Sequence, residues 1–152
     1  MRRLFVALLF SLLFYTPVHA QTEVECEIPD VTVTVKRCFR KAGLVYVDIL
    51  FQNTGASDRL LNLYQPSVLD DEGVTYDAGN RKAYWVNSNR IDPYRCLVPS
   101  QVEKRCRIAV KDLDEFATVF QLVDIRADWE SYRSVMTITQ LRIRNVPIPE
   151  DE

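Results

Sequence analysis

Histidine, methionine and glycine are all scarce in this sequence, and each shortage removes a class of chemistry. The one histidine is His19, and the two methionines are Met1 and Met136. Serine–histidine and cysteine–histidine catalysis needs an imidazole base, and a methionine-rich copper site needs several thioethers. A phosphate-binding loop needs clustered glycines, whereas the four glycines stand singly at predicted turns: Gly43, Gly55, Gly73 and Gly79. The chain beyond His19 therefore lacks all three kinds of site.

The start of the chain has the features of an export signal. Arg2 and Arg3 form a basic beginning, residues 4–15 form an apolar run, and small residues occupy the −3 and −1 positions before Gln21. The apolar run is short for a bilayer span, which favours a signal peptide over the alternative of an uncleaved signal anchor. We predict cleavage after Ala20, and a secreted or periplasmic protein with no stable membrane anchor.

The remaining chain has the size and charge of one acidic domain. Removing residues 1–20, the predicted signal peptide, from 152 residues leaves 132, and we predict one domain over residues 21–152. Loss of Arg2 and Arg3 lowers Lys+Arg from 19 to 17 against 21 Asp+Glu, a net charge of −4. An acidic exported domain is not expected to bind nucleic acid. For the basic groups we predict a solvated face rather than a binding surface: Lys36-Arg37, Arg40-Lys41, Lys104-Arg105 with Arg107, and Arg142 with Arg144.

Four cysteines follow the predicted signal: Cys26, Cys38, Cys96 and Cys106. An even number in an exported chain predicts two disulfides, and four cysteines allow three pairings. A possible turn at Pro99-Ser100 favours a hairpin that brings Cys96 to Cys106, which leaves Cys26 for Cys38. The spacing is not the Cys-x-x-Cys of redox enzymes, so a structural role is expected.

Alternation of apolar and polar residues predicts strands throughout the domain, and no stretch of eleven residues has a helical period. The predicted fold is an all-β, antiparallel immunoglobulin-like β-sandwich of seven or eight strands. Residues 44–51 are apolar on both faces and are predicted to form a central strand. The predicted strands cover residues 31–35, 44–51, 60–64, 74–76, 82–86, 105–110, 119–126 and 135–146.

Several local features carry more specific expectations. The basic segment 37–43 is predicted as a turn, and Pro66 as the mark of an edge or bulge. One helical turn is expected at 112–117, capped by an aspartate. Phe120 is expected to face away from Val123, and a change of phase in the last strand predicts a bulge near residues 139–140.

Five short motifs occur in order along the chain: Phe51-Gln52-Asn53-Thr54-Gly55, then Asp70-Asp71-Glu72-Gly73-Val74-Thr75-Tyr76, Leu97-Val98-Pro99-Ser100, Arg107-Ile108-Ala109-Val110-Lys111-Asp112, and Asn145-Val146-Pro147-Ile148. Over residues 31–148 the chain resembles the small secreted immunoglobulin-like domains of Bacteroides-type bacteria, which are related to the telokin-like group of exported domains. The resemblance implies an immunoglobulin-like sandwich outside the cytoplasm, and it implies no activity and no catalytic residue. The third motif has Pro-Ser where the family usually has Pro-Gly, and the cysteines are not part of its pattern.

Aromatic and amide side chains in irregular segments are the candidate ligand-binding residues. Exposed rings beside amides suit a glycan or a protein partner. The alternative is that Trp85 and Trp129 are core residues, since tryptophan is usually well buried. The candidates are Tyr84, Trp85, Asn87, Asn89, Tyr94, Trp129 and Tyr132.

Carboxylates are the remaining chemical groups. Asp70, Asp71 and Glu72 are adjacent but lack the spacing of a calcium loop, and Gly73 favours a solvated turn, so no metal site is predicted. A glycosidase needs two carboxylates across a cleft, and no pair stands out. We therefore predict no catalytic residue and no cofactor.

The predicted function is a non-enzymatic, exported immunoglobulin-like binding module, stabilised by two disulfides, whose partner is an unknown protein or glycan. Two alternatives remain open: a glycan hydrolase that uses carboxylates alone, and a structural subunit of a surface or periplasmic assembly. A cleft with two carboxylates of shifted pKa would favour the hydrolase. An exposed aromatic patch would favour the binding module, and a long apolar edge strand would favour assembly.

The export signal makes a prediction that mass spectrometry can check. The exported protein should begin at Gln21, because the residues before it match the small-residue rule for signal cleavage. Recovery of a chain that still begins at Met1 would contradict the prediction.

Overall fold

The computed structural model describes residues 21–86, 93–130 and 136–150, and these residues form an all-β structure. The described residues include no helix with the length and apolar character that crossing a bilayer requires. The strands are β1 (Glu23–Glu25), β2 (Val31–Lys41), β3 (Leu44–Asn53), β4 (Arg59–Leu63), β5 (Ser67–Asp70), β6 (Thr75–Tyr76), β7 (Ala83–Trp85), β8 (Tyr94–Val98), β9 (Glu103–Lys111), β10 (Val119–Glu130) and β11 (Met136–Pro147).

The strands form two antiparallel sheets that pack face to face. One sheet has four strands in the order β2-β3-β9-β7. The other has seven strands, with β1-β11-β10-β4-β8 as its main path, β5 attached to β10, and β6 attached to β5. Buried residues of both sheets form one hydrophobic core, with Phe51 and Ile108 contributed by one sheet and Phe120 and Ile143 by the other. The predicted immunoglobulin-like β-sandwich is confirmed.

The strand count differs from the predicted seven or eight, because the described residues contain eleven strands. β1, β5 and β8 were not among the predicted strands, and each has only three to five residues. Such short segments carry too little alternation to be recognised. Pro66 lies between β4 and β5, which pair in line with the same strand, β10. Pro66 thus separates β4 from β5, because it has no backbone N–H to donate to β10.

The predicted central strand is confirmed, but the turn before it is much tighter than predicted. β3 pairs with β2 on one side and β9 on the other. β2 continues to Lys41, through the residues predicted as a turn, because a bulge between Val35 and Arg37 shifts the phase of its side chains. Only Ala42 and Gly43 form the turn, with φ of 52° and 75°. Two positive φ values are typical of a type I′ hairpin.

Two predictions about the long strands of the seven-stranded sheet are wrong. Phe120 is buried with Val123, because a register shift between Phe120 and Leu122 returns its side chain to the core. β11 pairs with β10 in unbroken register, so the bulge near residues 139–140 is absent. The change of phase has another cause: Ile138 is 61% exposed on the outer face, while Thr139 is buried.

Residues 112–117 form a turn rather than the predicted helical turn. The Ala117 N–H donates to the Asp114 carbonyl at 3.2 Å, and the Asp114 carboxylate accepts from the Phe116 N–H at 2.9 Å. An aspartate therefore caps the segment as expected. It satisfies the backbone of a single turn, and no helix follows.

The cysteines of β8 and β9 meet across the core rather than across a hairpin. Cys96 belongs to the seven-stranded sheet and Cys106 to the four-stranded sheet, and both are buried. Their Sγ atoms lie 3.3 Å apart, beyond the roughly 2.0 Å of a disulfide bond. No two cysteines lie at bonding distance, and Cys26 donates to the Val31 carbonyl at 3.7 Å.

Candidate functional site

The outer face of the four-stranded sheet is rich in basic residues. Side chains of β2, β3 and β9 alternate, so that one set enters the core and the other projects outward. The register pairs Leu44 with Lys41 on one side and with Lys111 on the other, and it pairs Leu50 with Arg105. We call this surface the cationic face and define it by its five basic residues: Arg37, Lys41, Arg105, Arg107 and Lys111.

A buried carboxylate anchors two of these arginines. Asp48 lies in the middle of β3, with Arg37 opposite on β2 and Arg107 opposite on β9. Arg37 Nε donates to Asp48 Oδ2 at 2.8 Å, while Arg107 donates through Nε to Oδ1 at 2.5 Å and through Nη2 to Oδ2 at 3.0 Å. The Asp48 side chain is 0% exposed, against 54% for Arg37 and 30% for Arg107. The arginines therefore cover the carboxylate and face the solvent themselves.

Two aromatic rings support the guanidinium groups from beneath. Phe39 and Tyr46 are cross-strand partners whose ring centroids lie 5.2 Å apart in a stacked arrangement. The guanidinium carbon of Arg37 lies 4.5 Å from the Phe39 ring centroid. That of Arg107 lies 5.0 Å from Phe39 and 5.6 Å from Tyr46. These distances are typical of cation–π contacts, so each guanidinium is held by both a carboxylate and a ring.

The charges on this cluster are fixed over a wide pH range. Burial acts to raise the pKa of Asp48, but the hydrogen bonds from Arg107 and Arg37 outweigh it and lower that pKa. The hydrogen bond to Asp48 likewise raises the pKa of Arg107. One carboxylate thus neutralises one of two guanidinium groups. Neither Nη of Arg37 and only one Nη of Arg107 is used within the described chain.

The outer face of the opposite sheet has a different charge arrangement. There Arg144 Nε lies 3.3 Å from Glu25, and Arg142 lies 3.6 Å from Asp124. Such exposed pairs add little stability, but they balance the charge of this sheet locally. The described acids on the cationic face are Asp48 and Glu103. The charge of Asp48 is already paired with Arg37 and Arg107, and Glu103 lies at the end of the sheet. The protein therefore concentrates positive charge on one face although its overall charge is negative.

A polar hollow, the Tyr84 pocket, adjoins the cationic face at the β7 edge. Its volume is about 620 Å³. Lys111 belongs both to this pocket and to the cationic face, and Tyr84 pairs with Ala109 on the outer side of β9. The pocket is lined by Gln65, Ala78, Arg81, Ala83, Tyr84 and Lys111.

The predicted aromatic residues do not come together in one exposed patch. Trp85 is 1% exposed, donates through Nε1 to the Tyr64 carbonyl at 2.8 Å, and stacks on Tyr94 with centroids 5.7 Å apart. Trp129 is 8% exposed, beneath the guanidinium of Arg59. Both tryptophans thus have the core positions named as the alternative. Tyr84 alone of the predicted set lines the pocket, and Asn87, Asn89 and Tyr132 lie outside the described residues.

The acidic turn after β5 is a structural element with its own hydrogen bonds. Asp70 is 0% exposed and accepts from the Glu72 and Val74 N–H groups and from the Tyr76 hydroxyl. Asp71 accepts from the backbone and hydroxyl of Thr118. The prediction of a fully solvated turn is therefore wrong for Asp70, since its carboxylate replaces water for three donors. Among the described residues, no three His, Cys, Asp or Glu side chains group as a metal site would require.

Sequence reasoning did not identify Asp48 and its two arginines as a site. The available signal was the position of an aspartate inside an otherwise apolar strand, because a buried charge must be paired. The sequence does not indicate the partners of Asp48. The prediction assigns Arg37 to a turn, whereas the position of Arg37 opposite Asp48 depends on the bulge in β2.

The Asp48 cluster predicts a specific dependence of stability on pH. Because the pKa of Asp48 is lowered by folding, its contribution is present above the unfolded value near 3.8 and is lost as pH falls through the folded value. Asp48→Asn should lower the free energy of unfolding at pH 7 by about 2 kcal/mol, since it removes the charged acceptor of the hydrogen bonds from Arg37 and Arg107. The difference from the unmodified protein should shrink below about pH 4.

Denaturant titrations between pH 2 and pH 7 measure this difference. Glu103→Gln is the matched control, an exposed acid on the same sheet, and should change stability by less than about 0.5 kcal/mol. A difference between Asp48→Asn and the unmodified protein that stays constant from pH 2 to pH 7 would contradict the assignment.

Comparison with known proteins finds solved structures with distant similarity. No protein-family model matches the chain, and no curated protein sequence does. The structure is similar to PapD-like domain 7 of human CEP192, with a TM-score of 0.43, 16% identity, and coverage of 81% of this chain and 87% of that one. It is also similar to Northeast Structural Genomics Consortium target SoR45, with a TM-score of 0.41, 12% identity, and coverage of 83% and 85%. None of these comparisons supports the resemblance to telokin-like or Bacteroides-type domains, and the immunoglobulin-like sandwich is the part of that prediction that is confirmed.

Proposed function

We propose that this protein is an exported, non-enzymatic interaction module and that the cationic face is its binding surface for a negatively charged partner. The observation that carries the proposal is the arginine pair on Asp48. Two guanidinium groups are held by a buried carboxylate and by two rings, and they retain donors directed to no group in the described chain.

Preorganisation is the physical reason to choose this surface. A flexible arginine loses side-chain entropy when a partner immobilises it, about 0.5–1.5 kcal/mol for each ordered side chain. Arg37 and Arg107 have already lost much of that freedom, because each is held by Asp48 and stacked on Phe39. Guanidinium groups that are fixed in place suit bidentate recognition of carboxylate or sulfate oxygens. Binding an anion there would cost less than at an unsupported surface arginine.

The environments of the carboxylates and the sheet edges favour this function over the two alternatives. The buried acids Asp48, Asp70 and Asp128 each accept two or more hydrogen bonds from neighbouring side chains or backbone, which is the environment of structural carboxylates. The β2 edge carries a bulge flanked by Lys36 and Arg37, and bulges and charges oppose strand addition. A carboxylate-only hydrolase and an assembly subunit joined through this edge are therefore less well supported.

A disulfide between Cys96 and Cys106 completes the proposed mature form. Cys96 and Cys106 already lie 3.3 Å apart between the sheets, so a bond there needs little movement and would join β8 to β9. The hydrogen bond from Cys106 lowers the pKa of Cys96, which favours the thiolate that attacks. An oxidising compartment would supply the acceptor for the electrons. The predicted second pair, Cys26 with Cys38, does not fit this fold: Cys26 contacts the Val31 carbonyl, and Cys38 lies seven residues further along the extended β2, roughly 20 Å away.

Peptide mapping without reduction checks the disulfide. The exported protein should yield a linked peptide for Cys96–Cys106 and no peptide that links Cys26 to Cys38. Cys96→Ser should lower the free energy of unfolding under oxidising conditions by about 3 kcal/mol, the value for a short closed loop. A peptide that links Cys26 or Cys38 to Cys96 would contradict this pairing.

Photo-crosslinking in the exporting cell tests the binding surface. A photoreactive phenylalanine at Leu50, within the cationic face, should capture a partner, whereas the same group at exposed Ile138 on the opposite sheet should not. The double variant Lys41→Glu and Arg105→Glu reverses charge without touching Asp48 and should abolish capture. Arg95→Glu with Arg126→Glu, on the seven-stranded sheet, is the matched control and should retain it. Capture from position 138 alone, no capture from position 50, or capture that survives reversal of the face would refute the proposal.

A further inference from the structure

The Tyr84 pocket lies beside β7, the edge strand of the four-stranded sheet. β7 pairs only with β9 among the described strands, and its other edge faces the break between β4 and β5. At that break the Gln65 Oε1 accepts from the Trp85 N–H at 3.4 Å, and the Tyr64 carbonyl accepts from Trp85 Nε1. Interruption of the sheet at Pro66 therefore places the Gln65 amide beside β7, where it lines the pocket.

The loop between β6 and β7 supplies the second wall. Arg81 has a φ of 59°, in the left-handed region that bulky residues seldom occupy, and its N–H donates to the Ala78 carbonyl at 3.2 Å. The Lys111 N–H donates to the Lys82 carbonyl at 2.9 Å, which fixes β9 against this loop. Ala78 and Ala83 contribute only methyl groups to the lining, and a volume of about 620 Å³ stays open between the longer side chains.

Apart from two alanines, the described lining consists of side chains that can donate hydrogen bonds, one of which, Tyr84, is aromatic. Arg81 and Lys111 are cations. The Gln65 side-chain oxygen already accepts the Trp85 N–H, so the Gln65 amide nitrogen is the group that can donate to a ligand. No Asp or Glu is among the lining residues that the structure describes. By contrast, the larger hollow of about 790 Å³ beside the β2–β3 turn sets Arg40 and Lys41 against Asp112 and Glu150. The described lining of the Tyr84 pocket thus carries two positive charges and no negative one.

We propose that the Tyr84 pocket binds a carboxylate-bearing sugar, such as a uronic acid unit of an acidic glycan. The cations Arg81 and Lys111 would bind the carboxylate through charge-assisted hydrogen bonds. The Gln65 amide would donate to a ring hydroxyl, and Tyr84 offers an aromatic surface for the apolar side of a pyranose ring. The volume lies within the usual range of small-ligand pockets, and it exceeds what a single acidic side chain of a protein partner would fill.

This site goes beyond the proposed partner of the cationic face, although Lys111 belongs to both surfaces. A macromolecule could bind the face and leave the pocket empty. The two proposals can therefore be separated with variants that alter one surface alone: Arg81 is outside the face, and Lys41 and Arg105 are outside the pocket.

The test is titration of the mature protein with trisaccharides of glucuronate, galacturonate and mannuronate, followed by amide chemical shifts and calorimetry. At least one should bind saturably, with shift changes centred on Gln65, Arg81 and Tyr84. Its methyl ester, which has the same rings without the charge, should bind at least about tenfold more weakly, because charge-assisted hydrogen bonds are lost.

Arg81→Asn is the decisive variant, since asparagine tolerates a positive φ and the fold should be kept while the guanidinium is removed. It should weaken trisaccharide binding about tenfold or more. Lys36→Asn, which removes an exposed charge outside the pocket, is the matched control and should change affinity by less than about twofold. The Lys41→Glu and Arg105→Glu variant should also bind the trisaccharide, even where it abolishes capture by the face.

Three results would overturn the sugar site. They are the absence of saturable binding by all three trisaccharides at millimolar concentration, binding that is unchanged in Arg81→Asn, and binding of a glutamate-rich peptide at the pocket where the trisaccharides fail. Failure of crosslinking at position 50 together with specific trisaccharide binding would refute the face and retain the pocket.

Discussion

The pairing of buried Asp48 with Arg37 and Arg107 is the interaction on which the outer surface of this protein depends. A carboxylate that is removed from water inside a sheet is tolerated only when opposite charge and hydrogen bonds replace its hydration. β2 and β9 supply one arginine each from either side of β3. The requirement of one buried anion therefore sets the position of two cations, and with them the character of a whole sheet face.

The outer faces of the two sheets differ in their balance of positive and negative charge. The seven-stranded sheet pairs Arg142 and Arg144 with Asp124 and Glu25. The cationic face carries five cations, and its acids are Asp48, which is already paired with two arginines, and Glu103 at the sheet's end. At the β7 edge this positive region continues into the Tyr84 pocket through Lys111. A flat cationic surface and a concave cationic pocket thus adjoin on one side of an acidic protein, and that arrangement supports both proposals of anion binding.

The sequence allowed the long strands to be predicted, but not their exact register. β3 and β9 lie where strands were predicted and pair with each other in continuous register. β2 and β10 contain register shifts, which move Arg37 and Phe120 to faces that simple alternation does not predict. Short strands such as β8 escaped notice, because five residues in a sheet are stabilised by their neighbours rather than by their own pattern. Of the predicted ligand-binding residues, Tyr84 lines a candidate site and Trp85 supports the core behind it.

Composition and local pattern by themselves determined the all-β class, the lack of imidazole chemistry beyond His19, and the expectation of export and cysteine pairing. Only the tertiary structure decided that Cys96 and Cys106 meet between opposite sheets, that Asp48 collects two arginines, and that Gln65 reaches the pocket of Tyr84. The physical reason is the range of the interactions. Alternation and turn residues act within a few positions of the chain, whereas sheet pairing and core packing join residues that are distant in sequence, and the sites of this protein are built from those long-range contacts.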